Sequence, residues 1–122
     1  MAIDTSYQAI LQKLIDQTKI YGASLNTIDG LPVISVFKNK DIEEALVSAL
    51  SSTFINHSEE VINIFEFGKL SNARVEGEDG QIYLYKINPS LILLVLAPKS
   101  ISQGILHLGV KNSIRSFQKL EL

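Results

Sequence analysis

The sequence predicts a mixed α/β domain of the α+β kind, a five-stranded, mainly antiparallel sheet with helices on both faces in the order α-β-β-α-β-β-β-α. Three observations predict it. Apolar residues recur at helical spacing near the start, in the middle and at the end of the chain. An Asp29-Gly30 pair sits between two extended runs, and Leu91 to Ala97 is apolar at every position.

The first helix carries Ile3, Tyr7, Ile10, Leu11, Leu14, Ile15 and Thr18 along one stripe, with Gln8, Gln12, Lys13, Asp16 and Gln17 largely outside it. Asp4 or Thr5 suits its N-cap, and the helix should close before Gly22, since glycine takes up the left-handed conformation of helix ends. Ala23 to Ile28 then alternates, and Asp29-Gly30 matches the positive φ angles of a tight type I′ hairpin turn into Leu31 to Phe37. Pro32 lacks an N–H, which puts that second strand at a sheet edge.

Lys38-Asn39-Lys40 is a polar connection, and Asp41 is the expected cap of a long helix ending near Val61 or Ile62, with Glu43 and Glu44 in its first turn complementing the helix dipole. At about 100° per residue, Ile42, Ala45, Leu46, Ala49, Leu50 and Thr53 form one apolar face and Val47, Phe54 and Val61 a second beside it. Such a helix needs a covering surface on two sides.

Leu70 to Glu76 reads as a strand of mixed composition, and the acidic stretch from Glu76 to Gly80 as a turn. Gln81 to Ile87 places Tyr83, Tyr85 and Ile87 on one side and Ile82 and Leu84 on the other, the pattern of a strand covered on both faces. After the turn at Asn88-Pro89-Ser90, the run Leu91 to Ala97 belongs at the centre of the sheet. Ser100 or Ser102 caps a last helix to about Leu120, with Ile101, Ile105 and Leu108 on one side and Leu106, Val110 and Phe117 on another. Gly109, Ser113 and Ser116 form a row of small residues that invites close approach by a neighbouring backbone.

The 122 residues suit one domain, residues 1–122, and the hydrophobic share of 46% against 20% charged is that of a chain able to bury a core. A net charge of −2 gives no overall attraction to nucleic acid or anionic lipid, and the absence of cysteine excludes thiol nucleophiles and cysteine-held metals. The longest apolar run, Leu91 to Ala97, is far shorter than the ~20 residues of a membrane span, and Met1 to Ser6 has no secretory pattern, so a cytoplasmic location is expected.

Neither a Gly-x-x-x-x-Gly-Lys-Ser/Thr loop nor a Gly-x-Gly-x-x-Gly turn is present, and no cofactor is expected. His57 and His107 lie on different helices without a ligand pair, Glu76, Glu78 and Asp79 lack calcium-loop spacing, and no serine has a histidine and carboxylate at motif spacing. No catalytic or metal residues are therefore assigned. Tyr83 and Tyr85 could stack on bases, but only Lys86 accompanies them in sequence, so burial beneath a helix is the expected role. On the long helix, Glu44, Ser48, Ser51, Ser52, Ile55 and Glu59 make a small, mostly uncharged strip, either a solvated face or a partner-binding surface.

The order of elements and the local residues resemble the Roadblock family, relatives of dynein light chains that include bacterial regulators of a motility GTPase and subunits of a lysosomal scaffold. Gly22 to Ile34, with its Asp29-Gly30 turn, is similar to that family's first hairpin, and Gly80 to Ile87 followed by Leu91 to Ala97 to its central strands. Gly104 matches its glycine early in the last helix, while Pro32 departs from its pattern. A longin or profilin-like domain shares much of this sandwich architecture, but the long opening helix favours Roadblock.

The resemblance implies a homodimer, or a heterodimer with a Roadblock paralogue, in which the strand at Leu70 to Glu76 pairs with its counterpart and the two long helices pack side by side. Val47, Phe54, Val61, Leu70, Asn72 and Arg74 are then the expected dimer interface. The second apolar helix face, and an edge strand with no guard against pairing except Arg74, call for the same partner on physical grounds. The resemblance also implies a non-enzymatic scaffold or regulator that binds a Ras-like small GTPase, with Glu44, Ser48, Ser51, Ile55 and Glu59 as the candidate partner face. A small-ligand sensor, or another protein-interaction module, is the alternative.

Overall fold

Leu91 to Ala97 lies where a run without polar residues must lie, in the middle of a sheet covered on both sides. The computed structural model describes residues 2–38 and 41–120, and only the backbone of residues 2–5. It contains α1 (Ala2–Thr18), β1 (Gly22–Thr27), β2 (Pro32–Phe37), α2 (Glu44–Ile64), β3 (Asn72–Glu76), β4 (Gln81–Asn88), β5 (Leu91–Ala97) and α3 (Gln103–Leu120). The strands form one sheet in the order β2-β1-β5-β4-β3, and every adjacent pair is antiparallel. None of the described helices is long and apolar enough to cross a membrane.

Strand alternation divides the interior in two. Ala23, Leu25, Tyr83, Tyr85, Ile87, Leu93 and Val95 face α1 and α3, where Leu11, Leu14, Leu106, Val110 and Phe117 complete the larger core. Gly109 sets the approach of those helices: a Cβ there would sit 2.6 Å from Thr18 Cγ2 and 3.1 Å from Leu14 Cδ1, so the expected row of small residues does admit its neighbour. The opposite face holds a smaller core of Ile55, Leu84, Ile92 and Leu94, with Val47, Phe54 and Leu70 at its margin. There α2 lies over β2, β1 and β5.

The element order matches the expectation, and several boundaries differ for local reasons. Helix α1 begins at Ala2, so Asp4 and Thr5 are inside the helix and not at its cap; their side chains, and that of Ile3, lie outside the described residues, as do Asn39 and Lys40. The left-handed residue that follows α1 is Lys19 (φ 61°), not Gly22. Gly22 serves another purpose, because a Cβ there would fall 2.6 Å from Phe37 Cδ1 and 2.8 Å from the Val36 carbonyl.

The hairpin turn is not type I′, since Gly30 (φ 100°) has positive φ and Asp29 does not. A register shift between Leu25 and Asn26 sets Asn26 against Pro32, and the Thr27 hydroxyl accepts from the Leu31 N–H at 2.9 Å. Pro32 opens an edge strand, as its missing N–H requires. Helix α2 starts after Glu43 and not at Asp41, while Ser102 does cap α3, its Oγ accepting from the Ile105 N–H at 3.4 Å.

Candidate functional site

Helix α2 meets the sheet through its serines. Ser48, Ser51, Ser52 and Ile55 are the buried residues of this helix, and they follow the i, i+3, i+4, i+7 spacing of one helical face. Opposite them, β1 turns Ser24 and Asn26 toward α2, both buried. The Ser48 hydroxyl lies 2.5 Å from Asn26 Oδ1 and 2.9 Å from the Glu44 carbonyl, so its single proton serves one acceptor at a time. Asn26 Nδ2 donates to Ser24 Oγ at 3.0 Å, and Ser52 Oγ donates to the Ile28 carbonyl of the hairpin turn. No described buried side-chain polar atom lacks a partner.

This packing corrects the expected partner face. Ser48, Ser51 and Ile55 are interior groups, with Ile55 0% exposed, and they cannot form a docking strip on the folded chain. Glu44 stays exposed beside them, and Glu59 is held by Lys86 of β4 at 2.7 Å. The physical reason is close approach. Small side chains let the helix backbone settle onto the hairpin, and Gly30 shows how near it comes, since a Cβ there would be 3.5 Å from Ala49 Cα.

Turning the serines inward turns the aliphatic residues out. Leu46, Leu50 (60% exposed), Val61 (54%) and Ile64 lie on the outer surface of α2, and Phe65 and Phe67 continue the apolar surface past its end. Between α2 and β3, β4 and β5 runs an almost wholly apolar groove of about 360 Å³, lined among others by Val47, Leu50, Phe54, Val75, Ile82 and Leu84. The groove exists because α2 lies over β2, β1 and β5 and leaves β3 and the Ile82 end of β4 uncovered on that face. Ile82 is 37% exposed in consequence, whereas Leu84 on the same face is buried, so β4 is covered on both sides as its pattern suggested except at Ile82.

Of the residues expected at a dimer contact, Val47, Phe54, Val61 and Leu70 fall on the α2 side of the sheet, and Asn72 and Arg74 on the other face of its β3 edge. Val47 and Phe54 line the groove and are half-buried against their own sheet, Val61 is exposed along the helix, and Leu70 packs at the rim of the smaller core. Asn72 and Arg74 lie exposed on β3, a sheet edge whose outer backbone groups have no strand beside them among the described residues. Leu46 and Leu50, assigned to the sheet side by sequence, join the outward surface instead.

The titratable groups serve other ends. Tyr83 and Tyr85 stack at 6.1 Å but are buried under α3, so they offer no base-stacking platform. The Tyr85 hydroxyl meets His107 Nδ1 at 3.1 Å, and burial, with a smaller contribution from Tyr83, pushes its pKa well above the usual tyrosine range. His57 sits beside Glu60 on the exposed side of α2. No group of three or more His, Cys, Asp or Glu among the described residues could hold a metal.

The fold has counterparts in known structures. Myxococcus xanthus MglB superposes with a TM-score of 0.90 at 16% identity, covering 96% of this chain and 88% of that one. A Roadblock/LC7 domain from Streptomyces avermitilis gives 0.83 at 18% identity, with 91% and 93% covered. MglC from Myxococcus xanthus gives 0.64 at 14% identity, with 96% and 99% covered. These identities establish a shared fold. No curated protein sequence matches the chain. The Roadblock/LC7 domain model matches residues 7–97, well over half of the sequence, and the chain belongs to that family.

Proposed function

We propose that this protein is a non-enzymatic regulatory or scaffolding module that works in the cytoplasm as a pair of Roadblock chains and binds a Ras-like small GTPase. The observation that carries the pairing is the outward apolar surface of α2 with the groove beside it. A patch of this kind is covered by a partner in most soluble proteins. The edges of the sheet point the same way. Pro32 blunts the β2 edge, whereas β3 carries no proline and presents a free ladder.

A second copy laid antiparallel along β3 would extend the sheet and bring Leu50, Phe54 and Val61 of both helices together across a two-fold axis, answering both exposures with one contact. Val47, Leu70, Asn72 and Arg74 complete the proposed interface, with a Roadblock paralogue able to take the place of the second copy. Family membership supports a small GTPase as the further partner. Binding would act by positioning groups of the GTPase itself, since the described residues offer no metal cluster and no exposed arginine in a reaching loop.

Isothermal calorimetry of the full chain against small GTPases of the host, each loaded with GDP or a non-hydrolysable GTP analogue, tests this reading. Binding that differs between the two nucleotide states is the expected result. An absence of binding to every GTPase in both states would defeat it.

A further inference from the structure

The fold assembles a basic cleft on the other face of the sheet, away from the apolar groove. His107, Lys111 and Arg115 are all exposed and recur every fourth residue along α3, so they form a row with about 6 Å between successive members. Lys111 and Arg115 have no ion-pair partner among the described residues, and the α3 sequence from Gln103 to Leu120 contains no Asp or Glu. A cleft of about 530 Å³ opens between this row and the β3–β4 edge, where Asn72 and the Tyr85–His107 hydrogen bond form its floor. Arg74 pairs with Tyr83 across the ladder, which places it on this same face.

Uncompensated positive charge on a chain of net charge −2 needs a local reason. The cations of the cleft are spaced one helical turn apart. Alternate side chains of an extended peptide point the same way and are separated by about 6.6 Å, close to that spacing. Ile114, half-buried in the cleft wall beside the two cations, offers an apolar contact that a phosphate chain would not use. We propose that the cleft between α3 and the β3–β4 edge binds an extended acidic segment of a partner protein, with carboxylates at alternate positions meeting Lys111 and Arg115.

The site lies on the opposite face of the sheet from α2, with Asn72 and Arg74 shared between its margin and the proposed β3 pairing edge, and it does not depend on the GTPase reading. The test is fluorescence anisotropy of the full chain with a labelled peptide of alternating Glu and Ala, against a peptide of the same composition with its glutamates in one block. The alternating peptide should bind more tightly and weaken as salt is raised. Lys111→Glu combined with Arg115→Glu should reduce its affinity by about tenfold or more. Circular dichroism confirms that each variant is folded. Equal binding of both peptides, or full binding by the double variant, would overturn the proposal. So would tighter binding at the same residues by a single-stranded oligonucleotide or by phosphoinositide vesicles, which would make this a phosphate site.

Discussion

Ile55→Ala tests whether α2 is packed through its serine face. Ile55 is fully enclosed by Leu84, Ile92 and Leu94, the inner residues of the smaller core. The substitution removes three carbons, and at about 0.8 kcal/mol for each buried CH₂ the transfer contribution is about 2.4 kcal/mol. The cavity left beneath a helix tied to the sheet by Ser48 and Ser52 adds to that, for a total of about 2–5 kcal/mol. Urea denaturation followed by circular dichroism should show the midpoint falling with the slope unchanged, to the same extent at low and high protein concentration. A solvated or partner-facing Ile55 would change stability by no more than about 0.5 kcal/mol. That smaller value would refute the packing, because α2 would then have to be rotated to bring its aliphatic side down.

Other substitutions separate the two sides of the molecule. Leu50→Asp lies on the exposed face of α2, so it should keep the native circular dichroism spectrum while abolishing self-association in sedimentation velocity runs; a variant that still associates would move the interface elsewhere. Gly109→Ala improves helix propensity by about 1 kcal/mol yet drives a methyl group against Thr18 and Leu14, so a net loss of about 1 kcal/mol or more in thermal unfolding is expected. Tyr85 has a folded pKa raised above its unfolded value, so it leaves stability untouched below about pH 10. Above that, the unfolded phenol ionises first and stability falls with rising pH. Tyr85→Phe should make the alkaline fall shallower by up to about 1.4 kcal/mol per pH unit, and an unchanged slope would contradict the burial.

Element order was readable because it depends on patterns the backbone enforces. The unbroken run Leu91 to Ala97 could only be an inner strand, and Pro32 could only open an edge. The inward side of α2 was not readable in the same way. Hydrophobic periodicity ranks faces by apolar content, and the face that meets the sheet holds three serines and one isoleucine. The signal that marks it lies elsewhere in the chain: Asn26 stands near the end of β1, between Leu25 and Thr27, where a buried amide needs a polar partner opposite. Ser48 of α2 supplies it. The wheel did show that α2 has more apolar surface than one sheet can cover, although the covered part was assigned to the wrong side.

The basic cleft was hidden for a different reason. Lys111 and Arg115 are distant in sequence from Tyr85, and only the packing of α3 over β4 brings them together. A count of charges along the chain shows a balanced composition, while the fold sorts those charges by face. The boundary at Lys19 was hidden too, because a lysine held at positive φ has no sequence signature.

The claim on which the functional account depends is that two chains form the working unit. Light scattering on the eluting peak of the purified full chain, over a range of micromolar concentrations, measures this directly. The account predicts a molar mass of twice the 13.5 kDa chain, or a whole multiple of that pair. A single species of 13.5 kDa at every concentration would contradict it for the chain paired with itself, and the same mass after mixing with each Roadblock paralogue of the host would contradict it altogether.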